Sequence, residues 1–320
     1  MAELTFAVGS SHGPTNKTPP EDWTRLGEGD KRDPRFDYDA YLAKARDLTH
    51  DLSLPVRQAR GAALLTALDG LRSAVAAADV DVMVVVSNPH RIWPDDSQAV
   101  FGVMRSEKFA VPVPDNTPFN PDARFDGTRG RKRELEDKTG HPELANHLIT
   151  GLINRGFDIA CKDALREGEG IDEAFGFVYD LLPKGSTAAV VPFFLSRYLP
   201  YQASAARCVA LGAALRETIA DWDSDLKVGL MASGGLSHQV IDEKLDERVI
   251  AGLTKGDFDD LATLPRDQLN GAPGTPEILN WVAVGSAMAP TRMTLVDYVT
   301  AYRSPAGTGH GLTYGYWVAA

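Results

Sequence analysis

The chain has 320 residues, 43% hydrophobic and 24% charged, a globular composition that excludes wholesale disorder. A chain of this length buries roughly three quarters of its unfolded surface, so it needs no disulfide or zinc staple. Its two cysteines, Cys161 and Cys208, form no CxxC pair, and a net charge of −11 runs against nucleic-acid binding, because phosphates want a basic face.

In chain order, Leu4 to Gly9 is an apolar, β-branched run that enters the turn Ser-Ser-His-Gly-Pro and reads as a strand. The opening MAELTFAVGSSHGP lacks the basic head, apolar run and cleavage site of a signal peptide. Thr15 to Phe36 shows no periodicity and reads as a long loop. Arg57 to Ala78 carries Leu64, Leu65, Leu68, Leu71 and Val75 at helical spacing. Asp81 to Val86 is a continuous apolar run, typical of a strand covered on both faces, and it stops at Ser87-Asn88-Pro89-His90. Pro112 to Thr139, with the basic run RGRKRE, reads as a solvated loop.

A helix over Pro142 to Asn154 and a strand over Phe157 to Cys161 follow, then a strand over Ala188 to Leu195 and a helix over Ser204 to Ile219. The Ala188 to Leu195 run, the most apolar stretch, is too short to cross a bilayer. Leu226 to Ala232 is a further buried strand, ending in Ser-Gly-Gly-Leu-Ser-His. Helices over Ile241 to Leu253 and Pro276 to Met288 come next, and a Gly/Tyr-rich, flexible-looking tail closes the chain. Alternating helices and buried strands predict an α/β fold of three layers, a mostly parallel central sheet flanked by helices. The expectation is a single domain, residues 1–320, with long loops over about 13–38 and 110–140. No membrane contact and a reducing, cytoplasmic setting are expected.

Three of the seven histidines, His12, His90 and His238, fall just past the C-terminal end of a predicted strand. In open α/β sheets the ligand crevice lies there, so the three form a candidate constellation. Taken singly, each is by default a solvated or capping residue, and only their joint placement argues otherwise. His50, His141, His147 and His310 read as structural or surface residues. Two neutral imidazoles suit zinc, iron or copper, and a carboxylate would complete a set with open positions. Spacing does not fix that carboxylate; Glu277, in the first turn of a helix opened by Gly274-Thr275-Pro276, is plausible, but composition alone favours a helix-dipole acid there. GGLSHQV lacks a GxxxxGK[ST] signature and any GxSxG elbow, which sets aside phosphate-loop and serine-nucleophile readings.

These residues resemble the class III extradiol ring-cleaving dioxygenases, the catalytic-subunit family of protocatechuate and gallate dioxygenases, and most closely its single-chain 3-O-methylgallate-type branch. The resemblance runs through FAVGSSHGP, VMVVVSNPH, PELANHLITGLINRGFDIA, AVVPFFL, MASGGLSHQV, GTPEILNWVAVGSA and YRSPAGTGHGLTYGYW. It implies a mononuclear non-haem Fe(II) at the C-terminal ends of the strands, held by His12, His90 and Glu277, with His238 as an acid/base residue. An aromatic substrate and O2 are the implied partners, and a homodimer is compatible with the resemblance. Two departures stand out. Where the family carries a histidine, this chain reads Ile171-Asp172-Glu173-Ala174-Phe175-Gly176, and a Tyr-Pro-Pro-rich segment is replaced by SRYLPYQA. Glu173 and Tyr198 are therefore the expected substrate contacts. A buried Glu173 would favour a ring bearing an amine or extra hydroxyl over a carboxylate. A zinc hydrolase and a non-catalytic member binding a phenolic ligand are the competing readings.

Overall fold

The computed structural model describes residues 1–90, 92, 99–113 and 134–319. Its strands are β1 (Glu3–Ser10), β2 (Val82–Ser87), β3 (Phe101–Met104), β4 (Lys108–Pro112), β5 (Leu135–Thr139) and β6 (Ile159–Lys162). After these come β7 (Ala189–Leu195), β8 (Lys227–Ser233), β9 (His238–Val240), β10 (Thr294–Tyr302) and β11 (Thr308–Val318). The main sheet runs in the order β10-β11-β1-β8-β2-β7-β3-β6, with β9 paired to β11. Its centre is parallel: β8 lies between β1 and β2, and β7 lies beside β2. The flanks are mixed, with β11 antiparallel to β1, β10 to β11 and β3 to β7. Strands β4 and β5 form a separate ribbon.

The layering follows from strand alternation. Val82, Val84 and Val86 face one core, with Leu144, Leu148, Cys208, Leu211 and Trp281 from helices Pro142–Asn154, Ala205–Ala220 and Ile278–Met288. Met83 and Val85 face the other core, with Leu64, Leu68, Leu71 and Val75 of helix Leu54–Ala78. Burying each of those leucines is worth roughly 1.5–3 kcal/mol. By length and composition alone, helix Leu54–Ala78 is long and apolar enough to cross a membrane, unlike the shorter Ala188 to Leu195 run. Its Leu64-Leu68-Leu71-Val75 stripe nevertheless packs on the sheet, while Asp69 and Arg72 pair on its outer side at 2.7 Å.

Three segments differ from the sequence reading, the first being Pro112 to Thr139, read as a loop, whose end Leu135–Thr139 is β5, held by ladder hydrogen bonds to β4. Thr15 to Phe36 contains the helix Trp23–Asp30, anchored by a fully buried Trp23 whose indole N–H donates to the Thr18 carbonyl at 3.0 Å. A single aromatic anchor in a two-turn helix leaves no periodicity to read. The Gly/Tyr-rich tail is not flexible: it forms β10 and β11, the long antiparallel extension beside β1. Its glycines serve close packing. A Cβ on Gly311 would come within 2.1 Å of Asp246 Oδ2, and one on Gly315 within 2.7 Å of Met293 Sδ. Nearly all of RGRKRE lies outside the described residues.

Candidate active site

The parallel centre brings three turns to one edge of the sheet. Ser10 of β1 pairs in register with Ser233 of β8, and Val86 of β2 with Ala232, so the chain leaves all three strands at the same level. His12 follows β1, His90 follows β2, and the turn after β8 delivers His238. Glu277 closes the one-turn segment Thr275–Glu277 that leads into helix Ile278–Met288. One ligating atom each from His12, His90 and Glu277 lies within 4.8 Å of the other two. The His12 Nε2–Glu277 Oε2 distance is 4.0 Å, His90 Nε2–Glu277 Oε1 is 3.6 Å, and His238 Nε2–Glu277 Oε2 is 3.4 Å.

Hydrogen bonds fix which nitrogens are bare. The Ser233 hydroxyl donates to the Ala174 carbonyl at 2.5 Å, so at its 3.1 Å contact with His12 Nδ1 it must accept. His12 therefore carries its proton on Nδ1, and the Nε2 lone pair faces Glu277. His238 Nδ1 donates to the Leu236 carbonyl at 2.9 Å, which puts the proton of the neutral ring on Nδ1 and turns Nε2 toward the same carboxylate. His90 Nε2 is buried without a hydrogen-bond partner among the described residues. The backbone N–H groups of His90 and Ile92 both donate to the buried Asp172 carboxylate, at 2.7 and 3.1 Å, and hold this turn in place.

Burial holds the His12 pKa down to about 4, against the opposing pull of Glu277, so its imidazole is neutral near pH 7. Burial alone would raise the Glu277 carboxyl, but attraction to His238 and His12 whenever either ring carries a proton toward it brings it well below its usual range. Neutral imidazoles and an ionised carboxylate are the protonation states that metal ligation requires. Lone pairs converging from two or more imidazoles on one buried carboxylate are mutually repulsive, and a cation relieves that repulsion. The donor set, two nitrogens and a carboxylate, fits a divalent transition metal such as Fe(II) or Zn(II).

Asn280 ties the turns together, its Nδ2 donating to Asn88 Oδ1 at 2.8 Å and the Ser233 carbonyl at 2.9 Å, while Trp281 Nε1 donates to the Gly234 carbonyl at 2.9 Å. Gly274 makes the niche for the His238 ring: a Cβ there would lie 2.0 Å from Cδ2.

Two residues near this cluster escaped the sequence reading as site residues. Arg197, two residues past the end of β7, places Nη1 at 3.7 Å from Glu277 Oε1, with its side chain 11% exposed. The strand-end rule that found the histidines also points to Arg197, once it is applied to residue types other than histidine. His310 is buried in mid-strand β11, its ring centroid 4.6 Å from that of His238, which corrects its assignment to a mobile tail. Glu173 is exposed in the first turn of Glu173–Gly176, so the premise of a buried carboxylate does not hold; its neighbour Asp172 is the buried one. Tyr198 is 41% exposed and its hydroxyl accepts from Arg197 Nη2 at 2.9 Å. His141 caps helix Pro142–Asn154, and His147 Nε2 donates to the Thr218 carbonyl at 2.7 Å, both structural as expected.

Residues 62–312 match the family described as the catalytic LigB subunit of aromatic ring-opening dioxygenases. A gallate dioxygenase of Pseudomonas putida is 32% identical over 118 residues, 36% of this chain. The aligned stretch spans 34% of that relative's length.

Proposed function

This chain belongs to the family of catalytic LigB subunits of aromatic ring-opening dioxygenases, and from that premise we propose that it is a non-haem Fe(II)-dependent extradiol dioxygenase. Its substrate is a ring with vicinal hydroxyls, and both atoms of O2 enter the ring-opened product, so one O2 is consumed per ring with no external reductant. The observation that carries the reading is the convergence of His12, His90 and Glu277 within 4.8 Å, with His238 Nε2 beside Glu277 at 3.4 Å. His12, His90 and Glu277 would hold the metal. Bound there, Fe(II) supplies the redox chemistry that lets O2 react with an electron-rich ring.

The chain's own residues bind, orient and move protons. In neutral His238 the Leu236 bond keeps the proton on Nδ1, so Nε2 is the nitrogen that takes a proton from a ring hydroxyl and returns it. Arg197 lies beside this cluster with its Nε buried and, among the described residues, without a hydrogen-bond partner, so it can receive an anionic ring substituent. This reverses the preference inferred from Glu173: with that carboxylate exposed and screened, a carboxylate-bearing ring is favoured. The gallate dioxygenase relative supports the same choice. Tyr198 is placed at the rim, where it orients Arg197.

The test is oxygen uptake by protein purified and reconstituted with Fe(II) under argon, using gallate, protocatechuate and catechol. Uptake of one O2 per ring opened, fastest with a carboxylated ring and lost on zinc substitution, is expected. Full iron loading without uptake on any catecholic ring would favour the non-catalytic reading.

A further inference from the structure

His310 is the buried group beside this site to which nothing above assigns a task. It sits in β11 directly across from His238 of β9, the two residues paired in register, and the rings meet at 4.6 Å with an interplanar angle of 57°. Its opposite flank is built by the turn that carries His12. A Cβ on Gly13 would come within 2.4 Å of His310 Cε1, so glycine is required there for the ring to fit. His310 is thus wedged between the backbone after one candidate ligand and the ring of the candidate acid/base.

The His310 tautomer follows from its partners. Arg303 Nη2 lies 2.7 Å from Nδ1, and an arginine can only donate, so Nδ1 must accept. The same Nη2 donates to Thr15 Oγ1 at 2.5 Å, which turns the threonine hydroxyl toward Nδ1 at 3.0 Å. Two donors therefore converge on Nδ1, and the neutral ring keeps its proton on Nε2. Arg303 is fixed in turn, with Nη1 3.7 Å from the buried Asp30 carboxylate. All of Thr15, Arg303 and His310 are at most 5% exposed. A side chain needed only to fill this space would be served by an apolar residue; three buried polar groups arranged to set one tautomer are costly unless the orientation matters.

We propose that His310 is a positioning residue of the reaction, a neutral imidazole whose tautomer is locked by Arg303 and Thr15 and whose ring sets the plane of His238. It touches neither the candidate ligands nor, on this placement, the substrate; it acts through His238. The consequence for turnover rests on the dioxygenase reading above, whereas the tautomer lock does not.

The test has two arms. Nitrogen-15 correlation NMR of histidine-labelled, metal-free protein reads each ring's tautomer. His310 is expected with Nδ1 unprotonated and Nε2 protonated, and Thr15→Val with Arg303→Met is expected to leave a mixture of the two forms. A single Nδ1–H form in the unsubstituted protein would overturn the lock whatever the activity. In the iron-loaded enzyme with gallate, His310→Ala is expected to lower kcat at least tenfold with KM within twofold and iron unchanged. His310→Phe, which keeps a ring against His238, should recover part of that loss. In a His238→Gln background, His310→Ala should change kcat by less than twofold, because its effect passes through His238. Loss of iron on His310→Ala, no loss of kcat, or losses that multiply in the double variant would each overturn the positioning role. Absence of turnover in fully loaded, unsubstituted protein would instead refute the dioxygenase reading and leave the tautomer measurement to decide.

Discussion

The turns at the parallel centre of the sheet and the C-terminal hairpin both reach the same cluster, but by different routes. His12, His90, Arg197 and the turn to His238 are delivered where parallel strands stop, at positions a loop can re-aim. His310 and its partner Arg303 come from β11 and the β10–β11 connection, and His310 is fixed by the ladder that pairs it with His238. The turns carry bare nitrogens facing Glu277, whereas the hairpin carries a nitrogen already occupied by donors. On the proposed function, chemistry and support are divided between the two regions, and the division is open to experiment.

The sharpest break between them is at His238. His238→Gln should keep iron and bind the ring while lowering turnover about 10²- to 10⁴-fold, the range of a lost general acid/base. Stopped-flow turnover with iron analysis checks it, and an equal loss from His310→Phe would erase the distinction. Next in size is Arg197→Met, which should raise KM for gallate about 10- to 100-fold, as for a lost charge-assisted hydrogen bond, while leaving an uncharged catechol little changed. The companion change Glu173→Gln, at an exposed position, should alter neither preference nor stability by more than about 0.5 kcal/mol.

Acid separates the regions more gently. Burial, with Arg303 and His238 adding to it, holds His310 well below its ordinary pKa, and burial holds His12 down to about 4. In the unfolded chain both titrate near 6.5, so on acidification the unfolded state takes up protons first. The stabilisation from these two rings is complete above pH 6.5 and is lost as pH falls toward 4. Chemical denaturation of metal-free protein across that window should show a smaller fall for His310→Phe than for the unsubstituted chain.

Much of the candidate cluster was legible because buried parallel strands announce themselves as apolar runs, and the turn after such a run lies at the C-terminal edge of the sheet. VMVVV before Asn88-Pro89-His90 is the clearest case. Glu277 was legible only through the family resemblance, since a carboxylate in a helix's first turn has a sufficient electrostatic reason to be there. His310 was not legible. Its strand, Thr308–Val318, is interrupted by glycines that look like flexibility in a sequence and in the structure admit Asp246 and Met293 at close range. Glu173 misled because adjacency hides direction: Asp172 and Glu173 are neighbours, and only the first is buried. The Trp23–Asp30 helix was missed because two turns around one tryptophan carry too few apolar positions to establish a period.

The division of labour rests on which nitrogens hold the metal, and iron stoichiometry after anaerobic reconstitution tests that most directly. One Fe(II) per chain is predicted for the unsubstituted protein and for His238→Gln, and none for His90→Ala. Full iron in His90→Ala, or its loss in His238→Gln, would contradict the assignment.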